Sequence, residues 1–354
     1  MILNKIMKEL DAQGILITNM INVRYFTGFT GTTGVALILG DKRYFLTDFR
    51  YEEQGKKEVV PKGFQLVRED KDPVGKAGEL IKESKIKKLA IEDGSVTLSQ
   101  YRSFEKNFGN LEYTGIEDKF LKARMVKTEE EIKLIKEATK IADKAFENIK
   151  SLIKEGISEE RLATELEYEM KKLGAEGPSF DTIIASNYRS AMPHGVASEK
   201  KLQKEGFVKF DFGCFYKGYV SDMTRTVYLG INPTERHYEI YNTVKEAQKK
   251  AIDAVKAGIT TRELDKIARD YITEKGYGDC FGHGLGHGIG LEIHEYPYLS
   301  YKAEDLVLEE NMVVTIEPGI YIEGFGGVRI EDDVVVKKDG CEVLNKTTKE
   351  FVKL

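Results

Sequence analysis

Asp211, Asp222, His287, Glu317 and Glu331 are the residues of this chain whose types and settings best fit the chemistry of a two-metal site. Asp211 ends the apolar run Phe207-Val-Lys-Phe210, and Asp222 follows Gly218-Tyr-Val-Ser221. Glu317 closes Met312-Val-Val-Thr-Ile316, and Glu331 interrupts Val328-Arg-Ile330. These segments read as strands or glycine-rich turns. A carboxylate in an apolar strand is costly unless something neutralises it. Four carboxylates carry about four negative charges, which two divalent cations cancel. The chemistry to expect from such a site is hydrolytic.

The elements that must position these residues follow from the spacing. Asp211 and Asp222 are separated by a turn rich in Gly and Tyr, and Glu317 and Glu331 by a longer one with several glycines. Either connection can fold back as a hairpin and bring its carboxylates together. Alternation along a strand puts Thr224 on a face with Asp222, Thr315 with Glu317, and Arg329 with Glu331. These are natural orienting partners for ligands. Of the five histidines, four fall in two glycine-containing segments, Pro193-His-Gly195 and Gly282-His-Gly-Leu-Gly-His-Gly-Ile-Gly-Leu-Glu-Ile-His294. Glycine at alternate positions opposes a helix, so His283 and His287 are not a helical zinc pair. Glycines let backbone approach a ligand closely. His237, at a polar helix start, reads as ordinary surface.

The second part of the chain carries a short duplication. Lys154-Glu-Gly-Ile-Ser158 followed by Leu162 matches Lys256-Ala-Gly-Ile-Thr260 followed by Leu264. In each copy a helix ends at Gly and a Ser or Thr caps the next one. A pseudo-twofold domain follows: two outer helix pairs, and two strand hairpins delivering carboxylates to a central cleft. A long helix opens at the capping box Thr128 and Glu131. Before it, apolar runs at 14–18, 34–39, 44–47 and 88–91 read as strands, and 73–84 and 98–107 as helices. They make a separate α/β unit without an obvious catalytic group.

The chain of 354 residues is 41% hydrophobic and 32% charged with a net charge of −5, which argues against a nucleic-acid binder. No apolar run approaches the ~18 residues that span a bilayer, and the start does not read as a signal peptide. The three cysteines, Cys214, Cys280 and Cys341, form no CxxC pattern and suit reduced thiols in a cytoplasmic protein.

At this point the sequence resembles a known family, the pita-bread metallopeptidases of the aminopeptidase P and prolidase group. The motifs that carry the resemblance are Asn22-Val-Arg-Tyr-Phe-Thr-Gly-Phe-Thr-Gly31 and Leu46-Thr-Asp-Phe-Arg-Tyr51 in the first part. In the second they are Pro178-Ser-Phe-Asp-Thr-Ile-Ile-Ala-Ser186, Ser190-Ala-Met-Pro-His-Gly195, Asp211-Phe-Gly213, Ser221-Asp-Met-Thr-Arg-Thr226, the histidine segment, Ile316-Glu-Pro-Gly319 and Gly327-Val-Arg-Ile-Glu-Asp332. The resemblance implies an α+β protein: a creatinase-like α/β domain over residues 1–122 and a catalytic pita-bread domain over 123–354. It implies that Asp211 chelates one metal, that Asp222 and Glu331 bridge two, and that His287 and Glu317 complete the other. It also implies that His194, His283 and His294 line the substrate site, and that Phe180 and Ile293 shape a pocket for proline. The metal expected for this oxygen-rich set with one imidazole is manganese, with cobalt or zinc as alternatives.

The expected reaction is cleavage of the bond before proline in proline-containing peptides. Glu317 is the expected proton carrier, and His294 and His194 the donors to the carbonyl oxygen. Related microbial prolidases often place an arginine for the substrate carboxylate four residues after the last histidine; here that position is Tyr298. A tyrosine has no charge, so an Xaa-Pro aminopeptidase acting on longer peptides is the leading expectation and an Xaa-Pro dipeptidase the alternative. A homodimer is expected from the same resemblance.

Overall fold

The protein is described by a computed structural model, over residues 2–354. Its chain divides into two compact units, Met1–Arg124 and Met125–Leu354. The first is a six-stranded mixed sheet in the order Gln65–Arg68, Lys42–Thr47, Val35–Leu39, Gly14–Ile17, Lys88–Ile91, Glu112–Gly115. The two inner strands Gly14–Ile17 and Val35–Leu39 are buried along their whole length. That is why they read as continuous apolar runs instead of alternating ones. Helices Pro73–Ser84 and Leu98–Phe108 occupy the segments their sequence suggested.

The second unit repeats one design twice. Helix Glu129–Ile149 is capped by Thr128 with Glu131 in a full capping box, and it packs on helix Glu159–Lys172. Helices Glu235–Ala254 and Thr261–Glu274 form the corresponding pair. The duplicated motif sits at the same joint in both. Gly156 and Gly258 have φ of 87° and 96°, a conformation only glycine adopts freely. Ser158 and Thr260 then cap the next helix through Arg161 N and Glu263 N. Leu162 and Leu264 are completely buried. Ser158 and Thr260 also each form an isolated antiparallel bridge, to Lys201 and Val307.

Each helix pair is matched by a sheet. Gly206–Phe212 is the central strand of one, between Ile183–Ser186 and Met223–Leu229, with Asp211 opposite Thr224. The other runs Glu295–Leu299, Gly286–Gly288, Val313–Ile316, Asp332–Lys337, Gly340–Val343. A two-stranded hairpin, Gly319–Ile322 with Gly326–Arg329, is the excursion between Glu317 and Glu331. Because Ile316 pairs with Asp332, the two glutamates lie together just beyond the end of that ladder. Both sheets therefore direct a carboxylate pair to one place.

The glycine alternation also serves packing inside the sheet, and Gly284 and Gly286 line the cleft of the candidate active site. Strand Gly286–Gly288 is squeezed between two neighbours. A Cβ on Gly286 would strike the carbonyl oxygen of Thr315, and one on Gly288 that of Tyr296. The glycines admit backbone to backbone, and His287 between them is left as the side chain that projects.

Candidate active site

A cleft of about 650 Å³ opens within the second unit. Asp211, Asp222, His287, Glu317 and Glu331 all line it, as do His194, His283, His294, Phe180, Ile293, Tyr298 and Arg329. The site thus draws on both sheets, the loop after Ser186 and the turn after the glycine run.

Three of the five candidate ligands are tightest. Asp222, His287 and Glu331 place one potential ligand atom each within 4.8 Å of one another. Glu317 joins them, with Oε1 3.3 Å from His287 Nε2, and Asp222 Oδ2 is 3.7 Å from the same nitrogen. Asp211 stands slightly apart and ion-pairs with Arg329.

The electrostatics of this group call for neutralisation by a cation or by shared protons. Burial, with Glu331 and Asp211 close by, raises the Asp222 carboxyl well above the usual range. Burial and the neighbouring Glu317 do the same to Glu331, and burial pushes Glu317 up to about 7. Burial and His294 push His287 down to about 3, so its ring is neutral. His287 Nδ1 lies 3.1 Å from Gly288 O and donates to it. The Nε2 lone pair therefore faces two carboxylates, a repulsive contact unless a cation or a proton lies between. Asp222 Oδ1 is buried without any hydrogen-bond partner. A neutral imidazole, one orphaned carboxylate oxygen and carboxylates held at close range are the donor set of a divalent-metal site.

The orienting partners differ in part from the alternation rule. Thr315 Oγ1 donates to Glu317 Oε1 at 3.1 Å and accepts from His287 N, so it ties two of the candidate ligands together. Thr224 serves Glu331 (2.7 Å) and not Asp222, and accepts from Arg329 Nε (3.0 Å). Arg329 in turn pairs with Asp211 and not with its strand neighbour Glu331. The backbone of Asp222 is held by Asp333, whose Oδ2 accepts its N–H at 3.1 Å. Same-face reasoning along one strand cannot see partners that arrive from the other sheet.

On the rim, His194 and His294 are exposed, and the His294 ring lies 4.4 Å from that of His287. Burial and the neighbouring His194 lower the pKa of His294. His283 is differently occupied. Its Nδ1 donates to Gly284 O (2.7 Å), and its Nε2 accepts from Tyr321 OH (2.8 Å), which accepts from Arg329 Nη1 (2.8 Å). The loop bearing His194 is pinned from below by a buried lysine. Lys209 Nζ donates to Met192 O at 2.6 Å and Pro193 O at 3.2 Å, and Arg329 also reaches Pro193 O. The turn carrying Ile293 and His294 is held by buried Glu295, which accepts from Leu291 N and Glu292 N and pairs with Lys127.

Known proteins resemble this chain along its whole length. The model of metallopeptidase family M24 matches residues 133–338, and that of the creatinase/prolidase N-terminal domain matches 2–126. The chain belongs to metallopeptidase family M24. It is an α+β protein, a pita-bread domain preceded by a creatinase-type domain, and divalent metal ions go with the family. It is 43% identical over 354 residues to the Xaa-Pro dipeptidase of Pyrococcus furiosus, covering 98% of this chain and 97% of that one. Among solved structures it resembles an Xaa-Pro dipeptidase from Bacillus anthracis (TM-score 0.96, 48% identity, 100% and 98% of the two chains). It also resembles an X-Pro aminopeptidase from Thermotoga maritima (TM-score 0.91, 42% identity, 99% and 100%). Among the described residues, no helix of this M24 peptidase is long and apolar enough to cross a membrane.

Lys209, Tyr321, Asp333 and Glu295 were not anticipated from sequence. Only Asp333 and Lys209 gave a signal, as charged residues inside apolar strands.

Proposed function

We propose that this M24 peptidase is an Xaa-Pro dipeptidase. The observation that carries the reading is the convergence of the five candidate ligands in a chain 48% identical to the Bacillus anthracis Xaa-Pro dipeptidase along its whole length. The relatives favour this over the aminopeptidase expected from Tyr298. The aminopeptidase reading keeps two supports, the uncharged Tyr298 and the likeness to the Thermotoga maritima protein.

In this reading Asp211, Asp222, His287, Glu317 and Glu331 hold two divalent ions, with manganese as the preferred metal because four of the five donors are carboxylates. When bound, the metals supply the Lewis acidity that makes water nucleophilic near neutral pH. Glu317 carries the proton from water to the proline nitrogen. His194 and His294, on the rim, donate to the carbonyl oxygen as it gains negative charge. Phe180 and Ile293 give the pyrrolidine ring an apolar wall. Arg329 orients Asp211 through their ion pair, and His283 fixes Arg329 through Tyr321.

Residues 1–122 and 123–354 are the two domains of this reading; the family models, which end at 126 and begin at 133, support a junction in this region. We further propose a homodimer in the cytoplasm. Three free thiols are compatible with a reducing compartment. The test is hydrolysis of Ala-Pro beside an Xaa-Pro-Pro tripeptide with manganese present. Preference for the dipeptide is expected; cleavage of the tripeptide alone would refute the dipeptidase reading.

A further inference from the structure

A dipeptide bears its free carboxylate on the proline itself, within about 3.5 Å of chain past the scissile bond. An acidic cleft lined by Asp181, Asp211, Asp222, Glu317 and Glu331 must supply a cation to accept it. Among the described residues lining this cleft, the lysine and arginine side chains are Arg329 and Lys302. Arg329 is committed: Nη2 to Asp211, Nη1 to Tyr321 OH and Pro193 O, Nε to Thr224 Oγ1. Lys302 is not. Its residue is exposed, its ammonium rests over the Tyr301 ring at 5.2 Å, and it pairs with no carboxylate among the described residues.

The turn that bears Lys302 is held on both sides. The Arg269 guanidinium lies 4.4 Å from the Tyr301 ring centre, and Arg262 Nη2 donates to Ala303 O at 2.7 Å. Lys302 N donates to Ser300 Oγ at 3.3 Å. The base of the side chain is therefore fixed at the cleft wall while its flexible stem can reach inward. Tyr298, on the strand leading into the turn, lines the same cleft and carries a hydroxyl that can hydrogen-bond.

We propose that Lys302 is the specificity residue that receives the substrate carboxylate, with Tyr298 as its hydrogen-bonding companion. The proposal deepens the dipeptidase reading and rests on it. It explains how a chain with tyrosine at position 298 can still select dipeptides: the charge is supplied four residues later.

The experiment compares Ala-Pro with Ala-Pro amide, which lacks the charge, using manganese-loaded wild-type protein, Lys302→Met and Lys302→Arg. Lys302→Met should raise KM for Ala-Pro about fivefold or more, with kcat retained and KM for the amide unchanged. Lys302→Arg should restore most of the loss. Equal effects of Lys302→Met on the two substrates, or no effect on either, would overturn the assignment while wild-type cleavage of Ala-Pro kept the dipeptidase reading intact. A wild-type protein that cuts Xaa-Pro-Pro tripeptides and leaves Ala-Pro whole would overturn both.

Discussion

Thr224→Val tests whether the buried hydrogen bonds behind the candidate ligands hold them in place. The substitution keeps the shape and removes one oxygen. That oxygen donates to Glu331 Oε2 at 2.7 Å and accepts from Arg329 Nε at 3.0 Å, and the residue is completely buried. Hydrogen bonds to charged groups contribute about 1.5–3 kcal/mol each. The two are coupled and leave unsatisfied partners, so a total near 3 kcal/mol is reasonable for the metal-free protein. At about 2–4 °C per kcal/mol for a domain of this size, the midpoint of thermal unfolding should fall by about 6–12 °C. Loss of such an orienting contact also weakens metal binding by about 10- to 100-fold. Thermal unfolding of chelated protein and calorimetric titration with Mn²⁺ measure the two effects separately. If both the unfolding midpoint and the metal affinity stayed at wild-type values, the network would have no energetic role and the reasoning would fail.

Asp222→Ala or Glu331→Ala should abolish hydrolysis of Ala-Pro, by a factor of about 10³ or more, and reduce bound metal measured by elemental analysis. Arg225→Met should destabilise strongly, by about 3–5 kcal/mol, because Asp332 is fully buried and would keep only Lys349 as a cationic partner; denaturant unfolding measures it. His237 gives a pH dependence. Its Nδ1 accepts from Thr234 N at 3.1 Å at the start of helix Glu235–Ala254, and burial lowers its pKa. The neutral ring is the stabilising form, so the contribution is complete above an unfolded-state pKa of about 6.5 and is lost as pH falls through the lower folded value. Between pH 7.5 and 5.5 the wild type should lose more unfolding temperature than His237→Gln, by a few degrees for a cap of about 1 kcal/mol; parallel curves would show the ring does not cap.

Much of the architecture is written locally. The capping box at Thr128 and the Ser158 and Thr260 caps depend on neighbours in sequence and appear where their residues place them, whereas the helices before the repeat end at Ile149 and Ala254, short of Gly156 and Gly258. What depends on distant partners is not written there. Thr224 binds Glu331 because the second sheet brings that carboxylate across, which alternation along one strand cannot reveal. The rule that a strand carboxylate needs a metal is also incomplete. Asp332 is as buried as its neighbour Glu331, yet Arg225, Lys349 and Gln248 satisfy it. His237 looked like surface and instead packs against Phe207, Tyr228 and Phe325. Its surroundings come from strands and loops far away in the chain.

Stripping the protein of metal and titrating Mn²⁺ back while following Ala-Pro hydrolysis confronts the mechanism most directly. Activity should be absent without metal and should climb to a plateau at two ions per chain, with Asp222→Ala failing to recover at any concentration. Undiminished hydrolysis after exhaustive chelation would contradict the account.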